Sequence, residues 1–144
     1  MKIYLASSWK NKGAVIELAD WLRSEGHEVD AFCDEKNRIS FNWSELTCSL
    51  PADITELDAR DLMTHAIAKD AFKEDKKYLD WSDVVIMLLP CGRSAHIEAG
   101  YAAGCGKKLY IVGGFEKGEF DVMYGFADGM YDYSEIQDLL IELG

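Results

Sequence analysis

Between Leu88 and Lys108 the chain reads "LLPCGRSAHIEAGYAAGCGKK", and Glu98 is the one carboxylate in a stretch dominated by small and apolar residues. Two readings of Glu98 follow from its type and place. It is either a solvated carboxylate favoured near a helix N-terminus, or a nucleophile or base at the mouth of a sheet. Ser94 is the natural N-cap of the helix, which puts Ile97 at N3, so Glu98 is not a capping-box partner. Ala95, Ala99, Gly100, Ala102, Ala103 and Gly104 make this helix unusually thin. Two interior glycines cost about 1 kcal/mol each relative to alanine. That cost makes sense where something packs very close, either the sheet or a second copy of the same helix.

Other chemistry-bearing patterns fail on spacing. "GYAAGCGKK" lacks the GxxxxGK[ST] frame of a phosphate loop: Gly100 and Gly106 are one residue too far apart, and Lys108 replaces the hydroxyl. No GxGxxG follows the first apolar run, which leaves a dinucleotide site unsupported. Cys91 and Arg93 are too close for the Cys-x5-Arg loop of a cysteine phosphatase. His27, His65 and His96 show no HxxxH or HxH spacing and the four cysteines form no CxxC pair, so no metal site is expected.

Composition narrows the partners. A net charge of −11 argues against nucleic acid, which calls for a basic stripe. The densest basic cluster, Lys73, Lys76 and Lys77, is diluted by Glu74 and Asp75. The opening apolar run is too short for a signal peptide or a membrane span. Free thiols suit a reducing compartment, so a cytoplasmic protein of one domain, residues 1–144, is expected.

The elements that must position Glu98 are legible from periodicity. "KIYLA" reads as a buried strand, Lys2–Ala6, and Val15, Leu18, Ala19 and Leu22 share one face of the next helix. Gly26 stops that helix before a strand at Glu28–Phe32. A polar, aromatic loop with a short helical turn covers 34–53, and loops this long are usually functional. Thr55 is the expected cap of a helical stretch that runs in two pieces to about Trp81, with Asp58 in its first turn. Val84–Leu89 is apolar on both faces, as a central parallel strand should be. A helix at Ser94–Gly106, a strand at Leu109–Val112, a helical turn near Phe120, an edge strand at "MYDY" and a helix from Ser134 complete the chain.

This alternation predicts a three-layer α/β fold, flavodoxin-like or Rossmann-like, around a parallel sheet of about five strands. Ligands in such sheets bind at the strands' carboxyl ends, beside the point where strand order reverses. Those ends carry Ser7, Ser8 and Trp9, the loop after Phe32, the "PCGRSAH" loop with Gly92, Arg93, Ser94 and His96, and "GGFEKGEF". Trp9, Phe41 and Trp43 are candidates to stack on an aromatic ligand, Trp43 the best of them, although core packing is the commoner use of such residues.

"DVVIMLLP", a glycine-containing loop and "HIEAGYAAGCGKKLYIV", together with the opening "KIYLASSW", resemble the nucleoside 2-deoxyribosyltransferases and related nucleotide N-glycoside hydrolases. The resemblance runs from end to end, except for the middle loop. It implies cleavage or transfer of an N-glycosidic bond, with no cofactor and with a nucleoside or nucleotide as partner, in a homodimer or larger homo-oligomer. Glu98 matches the family's glutamate nucleophile, and Tyr4 a tyrosine that orients it, although Tyr4 also reads as a core aromatic. Asp75 matches an aspartate that orients substrate and protonates the leaving base, with Asp80 as its rival and a solvated helix face as the plain alternative for both. Asp83 shapes the turn into the strand.

Two positions depart from the family. Gly92 stands where the transferases carry aspartate and the hydrolases often serine. Asp121, in a segment that resembles one reaching into a neighbouring subunit's site, replaces an asparagine or a phosphate-binding serine and would repel a 5′-phosphate. Arg93 and Ser94 point the other way, since a cation and a hydroxyl at a helix start suit an anion. Two other functions stay open: a non-catalytic module that senses a nucleotide in the same cleft, and a hydrolase of NAD-type glycosides.

Overall fold

The computed structural model describes residues 1–38 and 54–144. Its five strands are β1 (Lys2–Ala6), β2 (Glu28–Ala31), β3 (Val84–Leu88), β4 (Lys108–Val112) and β5 (Gly129–Tyr131). All pair in parallel in the order β2-β1-β3-β4-β5. The α-helices among the described residues are α1 (Lys12–Ser24), α2 (Ala59–Leu62), α3 (Ala66–Trp81), α4 (Arg93–Gly104) and α5 (Ile136–Leu143). This is the doubly wound α/β architecture expected from the sequence, and strand order reverses between β1 and β3.

Successive residues of a strand face opposite sides of the sheet. On β1, Ile3 and Leu5 enter one core with Val15, Leu18, Ala19 and Leu22 of α1 and Leu139 and Leu143 of α5. Tyr4 and Ala6 enter the other, with Leu79 of α3 and Ala95, Ala99 and Ala102 of α4. Every residue of β3 is buried, as its unbroken apolar run requires. The expected face of α1 is the buried one. Gly26, at φ +90°, turns the chain out of that helix, and His27 N–H returns to the Leu22 carbonyl (3.2 Å).

Three local expectations are corrected. Asp58, not Thr55, caps the first short helix: its carboxylate accepts from the N–H groups of Arg60 and Asp61 (2.8 and 3.0 Å). Asp61 closes the capping box, and Thr55 lies in a separate 3-10 turn, Ile54–Glu56. Helix α4 is capped by Gly92, not Ser94. The Gly92 carbonyl already receives the first helical bond, from His96 N–H (3.4 Å), which leaves Ser94 inside the first turn. The thin helix does not bring its glycines against the sheet, because its alanines make that contact. A Cβ added at Gly100 or Gly104 would meet nothing within 4 Å.

The remaining elements fall within one or two residues of expectation. The helical stretch to Trp81 does come in two pieces, α2 and α3. Asp83 ties the helix-to-strand turn to β1 through Lys2 N–H (3.1 Å). No helix among the described residues is long and apolar enough to cross a membrane.

Candidate active site

Tyr4 occupies the middle of β1, wholly buried on the α3/α4 face of the sheet. Among the described residues its hydroxyl has no partner at close hydrogen-bond geometry. In the β1–β2 register Tyr4 lies beside Asp30, and neighbours in a parallel ladder share a face, so a carboxylate is built into the same buried layer. Burial raises Asp30 to about 6, against the pull of the Arg38 cation.

Arg38 follows β2 and folds back over this layer. Its Nε lies 3.4 Å from Asp30 Oδ1, its Nη2 donates to Asp75 Oδ1 at 2.8 Å, and its guanidinium carbon sits 4.6 Å from the centre of the Tyr78 ring. The Arg38 and Asp30 side chains are only 3% and 4% exposed, whereas that of Asp75 is 43% exposed. Asp75 stands on α3 one turn before Tyr78. Burial raises its carboxyl above the ordinary range, opposed by Arg38.

Glu98 enters from the second turn of α4 and is half-buried. Burial, and then the negative charge of Asp75, push it up to about 8. The Tyr4 hydroxyl and Arg38 pull the other way by favouring the carboxylate. Three carboxyl groups thus face one guanidinium and one tyrosine, and Glu98 is the member that holds a proton at neutral pH. Such a group can donate a proton and, once ionised, attack an electrophilic carbon.

The structure separates Asp75 from its rival. Asp80 is exposed, accepts from the Tyr101 hydroxyl (2.5 Å) and pairs with Lys76, and these contacts lower its carboxyl. It belongs to the surface.

The other candidate residues have structural partners. Ser7 Oγ donates to the Leu88 carbonyl (2.8 Å), tying the end of β1 to the end of β3, and Ser8 caps a 3-10 turn at Trp9–Asn11. Trp9 packs edge-on against Phe32 (5.5 Å) beside the α1 core, which puts it on the face of the sheet opposite Tyr4. Gly92, Arg93 and Ser94 lie together where α4 begins, beyond the end of β3; both side chains are exposed. His96 Nδ1 lies 2.7 Å from the Gly92 carbonyl, which fixes it as the donor and leaves Nε2 to accept from the Tyr124 hydroxyl (3.1 Å). Asp121 accepts from Met123 N–H (2.8 Å) and caps the 3-10 turn Val122–Phe126 that carries Tyr124. Trp43 and Phe41 lie outside the described residues.

Asp30 and Arg38 were not expected from the sequence. Asp30 carried a signal, since a carboxylate within the short strand "EVDA" must either face solvent or be paired. Arg38, in a polar loop, carried none. Among the described residues no three His, Cys, Asp or Glu side chains are grouped to hold a metal ion. A hollow of about 210 Å³ opens beside the cluster, lined by Asp30, Arg38, Arg23, Tyr78 and Trp81 among others, and Glu98 does not line it.

Two solved structures resemble the whole chain. One is a CMP N-glycosidase from Clostridium botulinum, 18% identical, with a TM-score of 0.56 over 99% of this chain and 98% of that one. The other is a 2-deoxyribosyltransferase from Bacillus psychrosaccharolyticus, also 18% identical, with a TM-score of 0.65 over 96% of this chain and 91% of that one. This chain shares their fold. No family model matches the sequence, and no curated protein matches it significantly.

Proposed function

We propose that this protein cleaves or transfers the N-glycosidic bond of a nucleoside-type small molecule, with Glu98 as nucleophile and Asp75 as proton donor. The observation that carries the reading is that Tyr4, buried on β1 beside the strand-order reversal, has the half-buried Asp75 and Glu98 as its charged neighbours and that these two act on one another. The fold shared with two enzymes whose names state N-glycosidase and 2-deoxyribosyltransferase activity supports the same chemistry.

The protonation states suit a two-carboxyl mechanism. Glu98 and Asp75 titrate as an interacting pair, so the form holding one proton is the working form. With that proton on Asp75, a Glu98 oxygen attacks the anomeric carbon. The glycosidic bond breaks, its electron pair passes to the base nitrogen, and Asp75 supplies the proton. Water then attacks the glycosyl–Glu98 ester in a hydrolase, or the nitrogen of a second base in a transferase, and its proton returns to Asp75. The Tyr4 hydroxyl steadies the Glu98 carboxylate while it is ionised.

A sign for the pH dependence follows. The pair loses its last proton as pH rises through about 8, so kcat/KM falls above that value. It falls again at low pH, where the second carboxyl is protonated too.

A homodimer accords with the exposed face of α4. Ile97 is 72% exposed and is followed on that face by Gly100 and Gly104, where an added Cβ would meet nothing within 4 Å among the described residues. Phe120 and Val122 are 80% and 84% exposed nearby in sequence to the Asp121 turn. Sedimentation velocity should give a dimer mass that Ile97→Lys converts to monomer. Cys33, Cys91 and Cys105 are all free thiols, in keeping with a cytoplasmic location.

The decisive assay incubates wild type and Glu98→Ala with nucleosides, 5′-nucleotides and NAD, with and without an added free base, and separates the products by chromatography. Base released or exchanged only by wild type is expected. Exchange confined to reactions with added base identifies a transferase, and release without it a hydrolase. Binding without turnover across the whole panel would overturn the reading in favour of a sensor.

A further inference from the structure

We propose that Arg38 is a positioning residue, whose guanidinium is anchored on Asp30 of β2 and laid over Tyr78 so that it holds the Asp75 carboxylate in the layer that Glu98 enters from α4. The proposal takes its catalytic meaning from the reading of Glu98 and Asp75 given above, and its structural content stands on geometry alone.

Asp75 is a surface-reaching side chain, 43% exposed, and left alone it would sample several rotamers. Its 2.8 Å bond from Arg38 Nη2 removes that freedom. Arg38 is itself enclosed: its side chain is 3% exposed, lies 4.6 Å over the Tyr78 ring and is set against a carboxylate on a strand. The planar fork therefore carries the rigidity of the sheet to a helix side chain, a task a lysine ammonium performs poorly.

Stability alone explains the arrangement badly. Among the described residues Arg38 Nε and Asp30 Oδ2 are buried without a hydrogen-bond partner, and the 3.4 Å contact between Nε and Oδ1 is an ion pair without hydrogen-bond alignment. A buried pair so incompletely satisfied is a poor stabiliser compared with apolar residues of the same volume. What it does supply is placement. Every charged neighbour agrees with a shared counter-ion. Asp30 from β2 and Asp75 from α3 favour the Arg38 cation, and Arg38 in turn favours the Glu98 carboxylate on α4. Glu74 of α3 acts on both aspartates and Arg23 of α1 on Asp30, while the Tyr4 phenol, held neutral by burial, adds no charge.

The test uses the full chain and reads the Asp75 carboxyl directly by carbon-13 NMR titration in wild type, Arg38→Met and Asp30→Asn. Methionine keeps the volume and removes the charge, and asparagine keeps the shape of the anchor. The Asp75 midpoint is expected to rise in Arg38→Met. It is expected to fall in Asp30→Asn, where the guanidinium no longer divides its charge between two carboxylates. Unmoved midpoints, or shifts in the same direction in both variants, would overturn the proposal.

Base release from the nucleoside and nucleotide panel supplies the second reading. Arg38→Lys, which keeps charge without the fork, should lower kcat about 10- to 100-fold with KM within about 3-fold. Wild-type kcat in that variant would also overturn the proposal, as would a loss confined to KM. A wild type that releases no base would refute the function proposed above, and the two opposite Asp75 shifts would then decide the role of Arg38 by themselves. Should Arg38→Met not fold, Arg38→Gln takes its place in the titration, with the same expected rise of the Asp75 midpoint.

Discussion

The two faces of the one sheet are built from the same strands and differ in what they tolerate. Toward α1 and α5 the layer is mostly aliphatic: Ile3, Leu5, Leu18, Leu22, Ile86 and Leu139 fill it, with the Tyr110 ring among them. Toward α3 and α4 the layer holds the Tyr4 hydroxyl, Asp30, Arg38 and the half-buried Asp75 and Glu98 beside Val85, Met87 and the α4 alanines. The first face is a foundation. The second gives up stability by burying charge that is only partly paired, which is how functional sites commonly differ from structural cores.

The sharpest break between the faces is functional. Glu98→Gln should reduce base release by at least about 10³-fold, whereas no single change on the α1 face should lower kcat in molecules that remain folded. Stability should invert that ranking. Ile86→Ala removes a fully buried side chain from the apolar layer and should cost about 2–5 kcal/mol in urea unfolding.

Glu98→Gln should do the opposite, and increasingly so as pH rises. The folded-state value of about 8 lies above the ordinary one of 4.5, so the carboxyl's contribution is fully present below about 4.5 and is lost progressively as pH rises from there through about 8. Glutamine should therefore leave stability unchanged near pH 4 and raise it by about 1–3 kcal/mol near pH 9. Destabilisation at both pH values would show that the carboxyl is a structural member of the layer.

Tyr4→Phe is expected to be the smallest change. The hydroxyl has no well-formed partner, so its removal should alter stability by less than about 1 kcal/mol. It should still raise the Glu98 midpoint, because the hydroxyl favours the carboxylate. An unmoved midpoint would reduce Tyr4 to packing and make the two faces more alike than the burial pattern suggests.

Much of the frame was legible because it rests on periodicity. The unbroken run Val84–Leu88 had to be a central strand, and the spacing of Val15, Leu18, Ala19 and Leu22 had to be a buried helix face. Element type survived where boundaries did not, since helix starts depend on which backbone carbonyl receives the first bond, as at Gly92 and Asp58. In the site, Glu98 stood out by its isolation among small residues, and Asp75 and Tyr4 through resemblance to a family. The preference for Asp75 over Asp80 had no local signal. It follows from which turn of α3 faces Arg38 and which faces Tyr101.

By itself, then, the sequence determined the layers, the parallel sheet and the one carboxylate at its mouth, because hydrophobic period and isolation are local properties of a chain. Only the tertiary structure decided the company that carboxylate keeps. Strand pairing sets Asp30 beside Tyr4 across 26 residues, and a salt bridge joins Arg38 to Asp75 across 37. The charge state of Glu98 then comes from burial and from those neighbours, which are sums over space that a linear reading does not contain.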